Sequence, residues 1–374
     1  MDHGDTDAFS PMETRPRNLS LSSQLCTIRE LVYSNTAIED KAVTSASATR
    51  EWATLRRTCS IELPDPQRLR ILLDIYFRDL DSFFPFLDQC ETESRIYATL
   101  KALDYSPEDG YTVEVDYKHH SVIALLCNIL GVAESFSSEE GLTEDIRPGW
   151  TIFRRGQELT QCFSSLNVAV IDLDRIRYYT LSAEYFMQSE MLQLSSQAIS
   201  TAIQYAMFAR LNEESAWGKC CPEEAEARKK LWWVIYFLDR KIAQRIGCPY
   251  LIRDSEVAVS EFKNGSEYHN EINNDPTSIR EDEAYMQALI DLARLWSKIW
   301  DTFFSATAAS KQFQGWRESE LMETRIVLAY RELSEKLSWD TDFLVTSYIS
   351  NGEKEPQIRR RLAIFIVSCK PDKG

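Results

Sequence analysis

Residues Glu223–Val259 read EEAEARKKLWWVIYFLDRKIAQRIGCPYLIRDSEVAV, and this stretch decides the fold class. Glu223, Glu224 and Glu226 favour a helix start, because carboxylates there meet the positive end of the helix dipole. Arg228, Lys229 and Lys230 follow about one turn later, at distances where side chains on one helix face can pair. Leu231, Ile235, Leu238, Ile242 and Ile246 recur at helical spacing. Trp232 and Trp233 cannot point to one face, so the helix is expected to bury two sides. Asp239 and Arg240 interrupt the apolar stretch, and each is expected to pair with a neighbouring helix or with water. Gly247 and Pro249 supply a stop, glycine at the C-cap and proline just beyond it.

Working outward, the same period recurs. Leu69, Leu72, Leu73, Tyr76, Leu80, Phe83 and Phe84 define a helix entered through Asp65–Pro66 and stopped near Phe84, since Pro85 disfavours α geometry before it. Helical stripes are also expected over 121–132, 180–211, 285–304 and 321–337. Strand signals are weak, at Tyr111–Val115 and Val257–Val259. The expected fold is therefore all-α, a multi-helix packed domain. The organisation read from composition is a flexible polar leader (1–62), a helical domain (63–262), an acidic loop (263–284) and further helices (285–374), the last expected to be truncated. Between Asp254 and Glu283 stand nine acids against Lys263 and Arg280.

The chain has 374 residues with a net charge of −16, 44% hydrophobic and 27% charged. That balance supports a sizeable core and argues against unaided binding to nucleic acid or an anionic membrane. The longest apolar run, Ile123–Ala133, is broken by Asn128 and is short for a membrane span. Cys26, Cys59, Cys90, Cys127, Cys162, Cys220, Cys221, Cys248 and Cys369 contain no Cys-x-x-Cys pair, the spacing that presents two thiolates to one zinc ion. They are expected to be reduced and buried as packing residues.

Reactive motifs are missing: no glycine-rich phosphate loop and no nucleophile elbow occur. His119–His120 is expected to be a polar turn at a helix start rather than a metal or acid–base site. Asn274, Ser278 and Asp282 stand at i, i+4 and i+8, as in the magnesium site of all-α terpene cyclases. Pro276 opposes a continuous helix through them, and no aspartate-rich partner motif lies upstream. No catalytic residue, cofactor or metal ligand is therefore assigned.

The Glu223–Val259 stretch resembles the fungal-specific transcription factor domain, the middle homology region of fungal binuclear zinc-cluster regulators. The resemblance rests on Glu226, Arg228, Lys229, Lys230, Leu231–Trp233, Tyr236, Leu238–Arg240, Gly247, Pro249, Ile252 and Asp254, with Cys248 where arginine is usual. Residues 72–88, LLDIYFRDLDSFFPFLD, look like the family's opening helix. Residues 195–212, SSQAISTAIQYAMFARLN, are similar to its Ala-Ile-x-x-Ala helix, with Arg-Leu-Asn where Gly-Leu-His is common. Arg228, Trp232, Trp233, Asp239, Arg240, Gly247 and Pro249 are the structural signature carried over.

The resemblance implies a nuclear transcription regulator, with the cytoplasm as a second location, built on an all-α regulatory domain. Its expected partners are proteins of the transcription machinery or a DNA-binding co-regulator, together with a small-molecule effector. The cysteine-rich DNA-reading cluster of such regulators is not found in these residues, so direct contact with nucleic acid is not expected, nor is contact with a membrane. Two alternatives are an all-α terpenoid cyclase-like enzyme and a non-functional truncated regulator.

Overall fold

A computed structural model describes residues 58–137, 148–163, 172–262 and 276–306, with 317, 320–322, 324 and 325. All of them belong to the unit Arg57–Gly374. Strand β1 (Cys59–Glu62) pairs antiparallel with β2 (Thr112–Val115), Cys59 opposite Val115 and Glu62 opposite Thr112. Ile61, Val113 and Val115 turn their side chains into the core. The last residues of the expected polar leader thus form a strand. Its partner lies some fifty residues away, so local composition carries no trace of the pairing.

Helix α1 (Pro66–Ile75) starts as its sequence suggests. Asp65 accepts hydrogen bonds from the Gln67 and Arg68 amides at 3.0 and 3.1 Å, with Pro66 in the first turn. It then widens into a π turn (Tyr76–Leu80), tightens into a 3-10 turn (Asp81–Phe83), and ends where Phe84 leaves helical geometry ahead of Pro85. Next come α2 (Gln89–Ala102), α3 (His120–Ser137), α4 (Trp150–Cys162), α5 (Leu173–Gln188), α6 (Leu192–Phe208), α7 (Pro222–Ile246) and α8 (Pro276–Ile299), the last running into a π turn (Trp300–Phe304). The weak strand signal at Val257–Val259 becomes a single parallel bridge, Glu213 to Ala258.

Helix α3 is central. It packs on α1, α2, α4 and α5, while α5 packs on α6 and α7, α6 on α7, and α7 on α8. By length and composition α3 could cross a membrane. Its run from Ile123 to Ala133 is instead buried in protein, which accounts for its apolarity. The α3–α4 contact is close because glycine permits it. A Cβ on Gly156 would meet the Cys127 Cβ at 2.9 Å and the Ala124 carbonyl at 3.1 Å.

Two expectations need correction. The stretch 180–211 is two helices, because Glu190 adopts φ +59° and reverses the chain between α5 and α6. The acidic loop expected over 263–284 is also too long. α8 begins at Pro276, a residue well suited to a first helical turn. The stripe expected at 321–337 lies mostly outside the described residues; within it Met322 is buried and Leu321 exposed.

Arg210 sits just beyond α6 at φ +54°, with the Leu211 amide donating back to the Ala206 carbonyl at 2.9 Å. This is the left-handed position that favours glycine. Arg210→Gly is expected to stabilise the chain by about 0.5–1 kcal/mol, the relief of backbone strain exceeding the half-buried Arg210–Glu213 pair. Urea denaturation checks it: a loss of stability contradicts the strain.

Candidate functional site

The signature residues are built around the return of the chain along α7. Gly247 takes φ +75°, and the amides of Gly247 and Cys248 both donate to the Ala243 carbonyl, at 2.9 and 3.1 Å. That cap reverses the chain, so the segment from Cys248 to Phe262 runs back as a strap against the helix it has left.

Asp239 and Arg240 fasten the strap. The Leu251 amide donates to both Asp239 carboxylate oxygens, at 3.0 and 3.1 Å, and the Ile252 amide donates to Oδ2 at 2.9 Å. Arg240 donates from Nη1 to Asp239 at 3.0 Å, and from Nη2 to the Ile252 carbonyl at 2.7 Å and to Asp254 at 2.9 Å. Its Nε donates to Ser297 Oγ on α8 at 3.1 Å. The guanidinium also lies over the Tyr236 ring at 3.5 Å and the Tyr250 ring at 4.5 Å. Tyr236 donates to Asp254 at 2.7 Å, and Tyr250 to Asp301 at 2.9 Å. Burial pushes the Asp239 carboxyl above its ordinary range, while the Ile252 amide, Arg240 and the Leu251 amide act the other way. Every nitrogen of the Arg240 guanidinium and both oxygens of Asp239 are engaged within the protein. The arrangement joins α7, the strap and α8.

The tryptophans bury on two sides, as their adjacency requires. Trp232 is fully buried, and its ring N–H has no partner among the described residues. Trp233 donates from Nε1 to the Ser260 carbonyl at 3.1 Å, holding the far end of the strap. Lys229 donates to the Glu261 carbonyl at 3.0 Å, and Arg294 on α8 pairs with Glu261. Arg228 pairs with Glu224 at 2.6 Å along the helix, while Gly247 and Pro249 are exposed at the turn. All seven signature residues thus lie on α7 or at its C-terminal turn. Ser297 and Tyr250 complete the clamp and carry no local sequence signal.

His119 pairs with Asp116 at 2.7 Å, and His120, buried against Tyr117 and Phe163, bonds the Tyr117 carbonyl at 2.6 Å. The expectation of buried cysteines is met in full by Cys127; Cys90 and Cys221 are exposed, and Cys59, Cys162, Cys220 and Cys248 are half-buried. Cys26 and Cys369 lie outside the described residues. Asn274 lies outside them too, so the constellation it forms with Ser278 and Asp282 in the sequence is only partly covered.

A buried carboxyl also escaped the sequence reading. Glu184, buried on α5, accepts from Gln188 at 3.0 Å, and burial raises its carboxyl to about 7 although Lys241 and Gln188 oppose the shift. The unfolded chain loses this proton near 4.5, so Glu184 favours the fold below that pH and the contribution disappears as pH rises through about 7. Stability is therefore expected to fall by roughly a few kcal/mol between pH 5 and 8 through this group, since each tenfold difference in proton affinity between the folded and unfolded chain is worth about 1.4 kcal/mol. Glu184→Gln is expected to flatten that decline. Denaturant titrations of both proteins across this range check it, and parallel curves contradict it.

Clamp and core together define a helical scaffold whose signature side chains hold chain to chain. Residues 73–339 match the fungal specific transcription factor domain, and the chain belongs to that family. It is 26% identical over 212 residues to the probable transcription factor FUP6 of Fusarium proliferatum (strain ET1), covering 55% of this chain and 29% of that protein. Transcription factor FBD3 of Gibberella moniliformis (strain M3125 / FGSC 7600) is 23% identical over 203 residues, 54% of this chain and 26% of that one. The terreic acid cluster-specific transcription factor atF of Aspergillus terreus (strain NIH 2624 / FGSC A1156) is 32% identical over 82 residues, 22% and 12% of the two chains. The matched stretches span less than a third of each of these relatives. No solved structure matches the chain.

Proposed function

We propose that this chain regulates transcription in the nucleus through its helical domain, by contacts with proteins of the transcription machinery or with a DNA-binding co-regulator. The observation that carries this reading is the family match over 73–339, and the relatives named as transcription factors support it. The clamp fits a regulatory scaffold rather than an enzyme, because Asp239 and Arg240 are engaged with the strap and α8 and present no free group to a substrate. With a net charge of −16, these 374 residues suit basic protein partners better than DNA, which a co-regulator contacts.

Tethering the full chain to a promoter through an unrelated DNA-binding domain tests the reading. Reporter output is expected to change several-fold, up or down. Unchanged output from a well-expressed, nuclear fusion contradicts it.

A further inference from the structure

Helix α6 carries no ionisable acid or base along its 17 residues, although the chain is 27% charged. The other helices each carry at least one Asp, Glu, Lys or Arg, and even central α3 has Glu134. Yet α6 is not a core helix. Its inner side packs on α5 and α7, while Leu194, Gln197, Gln204 and Phe208 are exposed and Thr201 is half-buried. These five stand at alternating spacings of three and four, the period of a seam between two helices. Phe208 is 71% exposed, the most open large apolar side chain among the described residues. Loss of charge with retention of aromatic residues marks the centre of a protein interface rather than a solvated face.

The charges decide what covers this face. A partner drawn by the net charge of −16 gains nothing here, since α6 offers it no acid. A second copy of this chain is repelled by that same charge elsewhere, and can approach where neither copy brings an acid. The two ends of α6 also differ. Near its C-terminal end the Arg175 guanidinium, from α5, lies over the Tyr205 ring at 4.7 Å. Arg175 pairs with no carboxylate among the described residues, and its Nε is buried without a hydrogen-bond partner. Of the acids at that end, Asp172 caps α5 and Glu213 pairs with Arg210. Glu190 stands just ahead of the N-terminal end and is 69% exposed although it pairs with Arg245. An antiparallel pair sets the acidic end of one copy beside the basic end of the other. A parallel pair sets like against like, which opposes it. Gln and Thr side chains both donate and accept, so the middle of the row satisfies itself across a two-fold axis.

We propose that the outer face of α6 is the contact between two copies of this chain, packed antiparallel about a two-fold axis near Thr201. Phe208 of one copy covers the N-terminal half of the other copy's α6, where Leu194 is exposed. Arg175 lies at the end that carries the other copy's Glu190. A helix of this length extends about 25 Å, so with its flanks the contact falls at the small end of stable interfaces. The inference goes beyond the transcriptional reading, and its test uses the isolated full chain without a reporter. Failure of one therefore leaves the other standing.

Sedimentation velocity of the full chain over a concentration series tests the contact. The parent is expected to pass from monomer to dimer with a dissociation constant on the order of 10 µM. Phe208→Glu is expected to weaken association at least tenfold, with an unchanged denaturation midpoint because the side chain is exposed. Gln204→Glu and Gln204→Lys are each expected to weaken it, as like charges then face each other across the axis. An equal mixture of the two is expected to recover the parent's association, an outcome that a contact elsewhere on the surface does not give. A folded parent that stays monomeric at about 100 µM overturns the proposal, and the face is then covered by a different protein or by a segment outside the described residues. A dimer that keeps its strength in Phe208→Glu, or a mixture no stronger than its parts, also overturns it.

Discussion

Asp239→Ala is expected to lower the stability of the fold by about 3–5 kcal/mol, the loss typical of removing one partner from a buried, hydrogen-bonded ion pair. The substitution strips Leu251 and Ile252 of the acceptor for their amides and takes from Arg240 its neighbouring carboxylate. Arg240 is about 1% exposed and cannot turn to water without opening the strap. Its remaining carboxylate, Asp254, is more than half exposed and is a weaker partner. Asp239→Asn is expected to cost less, because a carbonyl oxygen still faces the strap amides. Chemical denaturation followed by tryptophan fluorescence checks both, and a loss under about 1 kcal/mol for the alanine variant contradicts the clamp.

A comparable loss is expected from Gly149→Ala, where α4 begins beside α3. A Cβ there would stand 2.0 Å from the Gly131 carbonyl oxygen and 2.9 Å from its carbon, so backbone meets backbone and no side chain can swing away. Gly149 also sits at φ +75°, a conformation that adds about 1–2 kcal/mol for an L-residue. With overpacking of about 1–3 kcal/mol, the combined loss is expected to reach about 2–5 kcal/mol. Gly110→Ala serves as the reference. Its φ is +60°, yet nothing lies within 4 Å of the added carbon, so about 1 kcal/mol is expected. Denaturant midpoints measured side by side separate the two, and equal losses show that α3 and α4 do not approach as described.

What could be read from the sequence was what neighbours along the chain decide. Asp65–Pro66 and Gly247 fixed ends of α1 and α7, because caps and left-handed glycines act within one turn. The tandem tryptophans gave α7 two buried faces, since adjacent residues on a helix diverge by about 100°. The break at Glu190 was not legible, because a glutamate takes the left-handed turn. It is held there partly by its pair with Arg245 at 2.8 Å, on another helix. The β1–β2 pair and Ser297 beneath Arg240 both depend on tertiary packing. The motif Leu238–Arg240 was visible as a resemblance, but its partners across the strap came only from the structure.

Hydrogen exchange at the Leu251 and Ile252 amides tests most directly whether the signature residues fasten the chain to itself. Both amides donate to Asp239 and are expected to exchange slowly in the parent protein. In Asp239→Ala their protection is expected to drop at least a hundredfold, while amides in the middle of α3 stay the more protected. Rapid exchange at these two positions in the parent chain, or protection unchanged by the substitution, contradicts the account.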